Sequence, residues 1–529
     1  MKHIPKICLI LFITFNLTKP INAQVIEVGT LHEGSKKYDP KIVGEDEELV
    51  YVLSEVSSKQ RSIEAYEKKN RLNKKYSLSI DHEKIENKYP VEIEKVVLLQ
   101  DHFLIFYSYY DAKSHLYYLF IKTVVKEDGS LKENRKDLFN IEVESKYRKG
   151  DYTVLLSQDK SKIFIYHRTY NRTYRKYFRQ YTLMNEDLEV LFSKELEENE
   201  FMPKNYLIDN DGSIFYVYNH SGLHIGSFDA NRDYERWEEK TQFMDQHSSP
   251  VNIQTLIMTI SSKNELVITG LVADVDENVV GSGFILLDHE SKEIKLSQVS
   301  YFSEEFYDQF RTSENIKNKS EGVFPNSLRR GQVLKKADGG YIMILERYKN
   351  KVYRGQHDNS VIGEDFLYGS ILVINYDNNG NMLWSNFIPK KQWYSWECVV
   401  AYLVTKSSQG LGFISKPNSK LITRHFSYSA GIFNDKLIIA FYDDIKNIKQ
   451  TKLPDKLKTV TVPSKAVVVK HEIDLKTGTV QKGIYEDFQK TNTYFCPQDN
   501  LQSAENKDMV IFGIKKKKYS YSLLKKNRF

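Results

Sequence analysis

Eight times along this chain a strongly apolar or aromatic run of five or six residues is followed, after a polar stretch, by a second such run. The first runs are Glu48–Leu53, His102–Tyr107, Lys162–Tyr166, Ser213–Tyr218, Glu265–Thr269, Gly340–Leu345, Lys436–Phe441 and Met509–Gly513. Their partners are Ser62–Tyr66, Tyr117–Thr123, Tyr177–Leu183, Gly222–Phe228, Gly283–Leu287, Ser370–Tyr376, Ala466–Ile473 and Tyr519–Leu524. Runs this short, rich in aromatic and β-branched residues, read as strands and not helices. Composition agrees: Tyr (36) and Phe (28) are abundant while Pro (12) is scarce.

The first runs advance by roughly 50 to 60 residues through the first half, a period that with several short strands per repeat predicts a β-propeller. The expected fold is all-β, a single propeller domain over residues 24–529 with eight blades, or seven if an irregular hairpin within 328–445 is an insertion. Larger steps later in the chain make 346–368 and 404–433 read as long inserted loops. Asp/Gly turns between runs fit hairpins, as at Glu127-Asp128-Gly129, Asp377-Asn-Asn-Gly380 and Lys476-Thr477-Gly478. Asp209-Asn-Asp-Gly212 and Asp338-Gly339-Gly340 stand before first runs. Both turns are weakly similar to the start of a calcium loop, but no Glu closes a twelve-residue loop, so no calcium is expected at either. The last repeat ends with Tyr519–Leu524, while Val25–Thr30 is an orphan strand. Pairing the two would close the ring and hide two edges.

Residues 1–23 begin with Lys2 and Lys6, continue with the apolar run Ile7–Leu17 and end at Ile21-Asn22-Ala23, the order of a cleavable secretory signal. The run is about half the roughly 20 residues needed to span a bilayer. Cys8 stands too early for a lipid anchor, and charged residues interrupt every later apolar run, so the mature chain is expected to be soluble, exported to periplasm or medium, and without a transmembrane segment. Losing the leader removes Lys2, Lys6 and Lys19 from 76 basic residues and none of the 70 acidic ones, leaving a net charge near +3. No concentrated basic face for nucleic acid is expected. Cys398 and Cys496 remain, as a disulfide or as two thiols.

Ile371–Trp384 and Val469–Val480 resemble the strand, Asp-x-x-Gly turn and strand of secreted bacterial β-propeller repeats, including the blades of quinoprotein-like propellers. That resemblance implies a fold and no chemistry, and no cofactor is carried over, since the adjacent cysteines of the quinone-dependent dehydrogenases are absent.

The densest aromatic cluster, Trp393-Tyr394-Ser395-Trp396, offers flat faces that stack on sugar rings or organic ligands. Packing between blades is its structural alternative, and strand alternation sends Trp393 and Trp396 to opposite faces. In Arg168–Tyr181, alternation from Arg175 sets Arg175, Tyr177, Arg179 and Tyr181 on one face, a ladder suited to an anionic polysaccharide or acidic protein, or a solvated outer strand. No Gly-x-Ser-x-Gly elbow, His-Glu-x-x-His helix or phosphate loop is present. Glu304-Glu305 and Asp443-Asp444, read as strand neighbours, point to opposite faces and cannot flank one bond. His220 and His224 straddle a Ser221-Gly222 turn that does not align them on a helix. The expected function is a monomeric platform for a protein or glycan; a secreted polysaccharide-acting enzyme with acids around the channel is the alternative.

Overall fold

The computed structural model describes residues 26–524 except 29–31, 34–39, 58–59, 82–83, 86–88, 144–149, 172–175, 199–204, 245–249, 262–264, 275–277, 315–327, 355–360, 398–424, 449–456, 486–493, 498–508 and 516–517. The leader, Arg175 and Cys398 therefore lie outside the described residues. The described chain is predominantly β, in eight antiparallel sheets of four or five strands and a two-stranded ribbon.

Seven sheets are built from strands consecutive in the chain. Sheet one spans Lys41–Asp81, sheet two Glu92–Glu142, sheet three Asp151–Glu198, sheet four Asn205–Thr241, sheet five Phe243–Tyr301, sheet six Leu328–Glu397 and sheet seven Ser429–Ile484. Sheet eight contains Tyr494–Phe495, Met509–Lys515 and Lys518–Leu524, and its fourth strand is Ile26–Val28 from the other end of the chain, with Ile26 opposite Leu524.

Alternation along the central strands explains why the sheets stack. In the second strand of sheet one, Tyr51 and Leu53 join a core with Phe103 and Ile105 of sheet two, while Val50 and Val52 turn the other way, to Cys496 and Val510 of sheet eight. Leu104 and Phe106 of sheet two meet Ile163 and Ile165 of sheet three. Phe164 then meets Ile214 and Tyr216 of sheet four, whose Phe215 and Val217 face Leu266 and Ile268 of sheet five. Val267 meets Met343 of sheet six, Ile342 and Ile344 face Leu437 and Ile439 of sheet seven, and Ile438 and Tyr442 share a core with Phe495 of sheet eight. A strand buried on both faces must be apolar at odd and even positions alike, which is why these runs stand out. Strands of consecutive sheets also lie side by side: Lys41–Glu45 beside Glu92–Leu98, Asp151–Leu156 beside Asn205–Ile208, Asn205–Ile208 beside Pro250–Ile260, and Pro250–Ile260 beside Leu328–Lys335.

The expected turns are present. Gly129, Gly380 and Gly478 adopt φ of 76°, 75° and 72°. A β-carbon at each would meet Leu78, Phe284 or Trp384 of the preceding sheet at 2.8, 2.4 and 2.9 Å, so these turns are also inter-sheet contacts.

Three expectations change. Residues 346–354 and 361–368 are not loop but continue the second and third strands of sheet six, because Lys349, Lys351 and Tyr353 on an open sheet face leave no apolar run to mark a strand. Of 404–433, Ser429–Phe433 is the first strand of sheet seven and 404–424 lie outside the described residues. Glu304 and Glu305 open a helix, Glu304–Glu314, which packs Phe306 and Phe310 against Phe387.

Candidate ligand-binding site

Sheet six projects past its own core. Its second and third strands, Tyr341–Arg354 and Val361–Tyr376, pair from Tyr341 opposite Tyr376 out to Arg354 opposite Val361, and Gln392–Glu397 adds a strand along Gly363–Tyr368. The register sets Lys349, Leu367 and Trp393 in one row across the three strands, and Lys351, Asp365 and Ser395 in the next. Alternation puts Tyr353 on the same face.

That face is open. Trp393 is 39% exposed, Lys349, Lys351 and Ser395 are exposed, and Tyr353, Asp365 and Leu367 are half-buried. The Tyr353 hydroxyl donates to Asp365 Oδ2 at 2.6 Å, and the Lys351 ammonium stands 4.7 Å from the centre of the Tyr353 ring. Hydrogen bonds from Ser395 and Tyr353 hold the Asp365 carboxyl below the usual carboxylate range, and the bond to that carboxylate pushes the Tyr353 hydroxyl up. Asp365 is thus occupied by its neighbours, while the two lysines flank a flat apolar strip made by Trp393 and Leu367. An aromatic face stacks on an apolar ring face, and ammonium groups beside it attract acid substituents.

The opposite face is core, which makes the projection rigid. Tyr348, Phe366, Tyr368 and Tyr394 pack with Phe426 and sheet seven. The Tyr394 ring lies 6.2 Å from both Phe366 and Phe426, and Tyr368 stacks on Phe426 at 5.9 Å. A buried polar network fixes the base. Lys390 pairs with Glu346 and donates to Gln392 Oε1 at 3.2 Å. Gln392 Nε2 donates to the Tyr442 carbonyl at 2.9 Å, and the Ser427 hydroxyl donates to Glu346 Oε2 at 2.6 Å. Every residue of this network is at most 6% exposed.

The expected aromatic cluster is therefore divided. Trp393 faces outward and Tyr394 belongs to the core; Trp396 pairs with Glu364 in the backbone register, and its side chain lies outside the described residues. The expected cationic ladder is not a surface. Arg179 and Tyr181 are 1% exposed, on the third strand of sheet three, which has a sheet on each face. Arg179 Nη1 donates to the Tyr206 hydroxyl of sheet four at 2.6 Å, and Tyr181 stands 2.9 Å from the same hydroxyl. Tyr177 is half-buried beneath the Arg168 guanidinium at 4.0 Å. His224 directs Nδ1 to Glu238 at 3.2 Å and Nε2 to the His220 carbonyl at 3.1 Å, with its ring stacked on Tyr218, so this pair does not converge on an ion.

Lys349, Lys351, Tyr353, Asp365 and Leu367 escaped notice because 346–368 read as loop. Their signal was present in the alternation Lys349-x-Lys351-x-Tyr353. A second concavity, about 490 Å³, lies between sheets four and five along His220–Leu223 and Pro250–Ile253, and no Asp, Glu, Lys or Arg lines it among the described residues.

No family model and no curated protein matches this chain. Among solved structures it is similar to the Dos1 propeller (9% identity, 96% of each chain, TM-score 0.40). It is also similar to the WD40 domain of SCAP from fission yeast (8%, 95% of this chain and 98% of that one, TM-score 0.36) and to the β-propeller domain of the trilobed protease from Pyrococcus furiosus (8%, 82% and 93%, TM-score 0.35). No helix among the described residues is long and apolar enough to cross a membrane.

Proposed function

We propose that this chain is an exported, soluble, eight-bladed β-propeller, closed by its N-terminal strand, that acts as a rigid platform for a glycan bearing acidic groups. Eight stacked sheets support the blade count, and the Ile26–Leu524 pairing with the core shared by sheets eight and one supports the closure. The lysine-rich start and apolar run of residues 1–23 support export. The observation that carries the binding role is the row Lys349, Leu367, Trp393 on an open sheet face with a packed back. An exposed Trp beside two unburied lysines contributes nothing to a core, and a rigid scaffold presenting such a strip needs little ordering to bind.

The test is retention of purified residues 24–529 on acidic and neutral polysaccharides. Retention on acidic ones, weakened by salt and lost in Trp393→Ala, is expected. Shortened glycans would replace the platform with a polysaccharide-acting enzyme. Capture of one defined protein, lost in the same variant with no glycan retained, would replace the glycan with a protein partner.

A further inference from the structure

At the seam between sheets four and five, two turns bring together three groups that the sequence separates by about eighty residues. Asp209 and Asp211 sit in the turn after the first strand of sheet four (Asn205–Ile208). His289 sits in the turn after the fourth strand of sheet five (Val279–Leu287). One donor atom from each lies within 4.8 Å of the others.

Asp209 and His289 are only 2% and 4% exposed, whereas Asp211 opens to solvent. Asp209 Oδ1 is engaged, accepting from the Gly212 and Ser213 amides at 2.8 and 2.7 Å. Its Oδ2 stands 2.6 Å from His289 Nε2, yet the two are not aligned as a hydrogen bond, and His289 Nδ1 has no hydrogen-bond partner. The imidazole is set edge-on to Phe215 at 5.2 Å. The nearby ammonium of Lys292 is turned away from the cluster, to Asp229 Oδ2 at 2.9 Å and the His289 carbonyl at 2.6 Å. Two carboxylates and a buried imidazole thus face one another without a hydrogen bond linking the acid to the ring. Buried polar atoms in that state are costly unless something else binds them.

We infer that Asp209, Asp211 and His289 form a site for one divalent transition-metal ion of the zinc class, which clips sheet four to sheet five. An imidazole among two carboxylates suits zinc and its neighbours, whereas calcium takes six to eight oxygens. Metal bonds of about 2.0–2.1 Å set tetrahedral donors about 3.3 Å apart, so the imidazole must turn slightly away from Asp209. No hydrogen bond holds its ring nitrogens against that turn. The solvent-facing side at Asp211 leaves room for water as a fourth ligand.

The test uses the full mature chain, stripped with a chelator and titrated with zinc ion by calorimetry, with melting temperature read in parallel. One ion per chain and a rise in melting temperature on zinc addition are expected. Asp211→Asn, at an exposed position, should weaken binding roughly tenfold or more while leaving the metal-free melting temperature unchanged. His289→Gln should abolish the zinc-dependent rise. Failure of the wild-type chain to take up zinc at micromolar concentration overturns the proposal; it would leave a plain Asp209–His289 ion pair. Binding unchanged in both variants places the metal elsewhere and overturns it equally, as does calcium competing on equal terms.

Discussion

The ring of Tyr216 lies across Gly226 on the neighbouring strand, so closely that a β-carbon on Gly226 would stand 2.2 Å from Tyr216 Cζ. The gap lets Tyr216 reach over that strand to the next. There its hydroxyl donates to Glu238 Oε2 at 2.9 Å and accepts from Arg236 Nε at 2.9 Å. Burial opposes the charge on Glu238, yet hydrogen bonds from Tyr218, Arg236 and Tyr216 hold its carboxyl at about 2. Gly226→Ala should therefore destabilise the chain by about 2–4 kcal/mol, overpacking of ~1–3 kcal/mol and a lost hydrogen bond of ~1 kcal/mol together. Urea midpoints at unchanged slope would measure it. Tyr216→Leu should relieve part of the loss in the double variant, since the two residues share one space; strict additivity would refute the contact.

The buried pair Lys390–Glu346 makes a second case. Both side chains are wholly buried and Glu346 also accepts from Ser427, so removing only the ammonium leaves a carboxylate with one neutral donor. Lys390→Met should cost about 3–5 kcal/mol, and adding Glu346→Leu should recover much of it. Because Gln392 receives from Lys390 and Trp393 follows it, the single variant should also loosen the exposed strip. Hydrogen exchange of Trp393 and Ser395 amides rising well beyond that of sheet two would show this; a uniform rise would count against it.

The apolar pairs in the sequence were the central strands of all eight sheets. In seven sheets the first run falls in the second strand and its partner in the third; in sheet five, which starts with the short Phe243–Met244, they fall in the third and fourth, and in every sheet both strands have a neighbour on each edge. The flanking strands carry little such signal. Glu235–Thr241, the fourth strand of sheet four, reads Glu-Arg-Trp-Glu-Glu-Lys-Thr with no buried residue. Nor did composition show that Arg179 is core, since its burial depends on the Tyr206 hydroxyl waiting in another sheet. Phe306 and Phe310, four apart, fit one face of a strand as well as one face of a helix, so their spacing did not distinguish the helix at Glu304–Glu314. Trp393 was visible as a site residue; the lysines beside it were brought there by cross-strand register.

A salt test separates the two halves of the exposed strip. If Lys349 and Lys351 attract acid substituents while Trp393 and Leu367 stack, Lys349→Gln with Lys351→Gln should weaken glycan binding at low ionic strength and leave little difference at high salt. Trp393→Ala should weaken it at both. All three positions are exposed, so folding stability should move by no more than about 0.5 kcal/mol. Equal salt dependence in the lysine variant and its parent would remove the acidic part of the ligand.

Asp443 and His471 line one small cavity with Lys482, and their protonation opposes each other. Burial pushes the Asp443 carboxyl up to about 6 from 3.8, against hydrogen bonds from Asn447 and the Asp444 amide. Burial, with the charge of Lys482, lowers His471 from 6.5 to about 3. An acid whose folded value is raised carries no penalty below its unfolded value and a full one above the folded value. Asp443→Asn should accordingly stabilise the chain by up to ~3 kcal/mol above pH 6 and by nothing below pH 4. A base whose folded value is lowered keeps its contribution above 6.5 and loses it as pH falls toward 3. His471→Phe, keeping the stack on Phe441 at 5.2 Å, should therefore gain on the parent as pH drops from 6.5 to 4. Between pH 4 and 6 the two effects partly cancel in the parent chain, so its stability should vary less over that window than that of either variant. Difference curves of urea stability against pH isolate each group from all others that titrate. A flat curve for Asp443→Asn across pH 4 to 8 would mean that water reaches the carboxyl and that burial does not raise it.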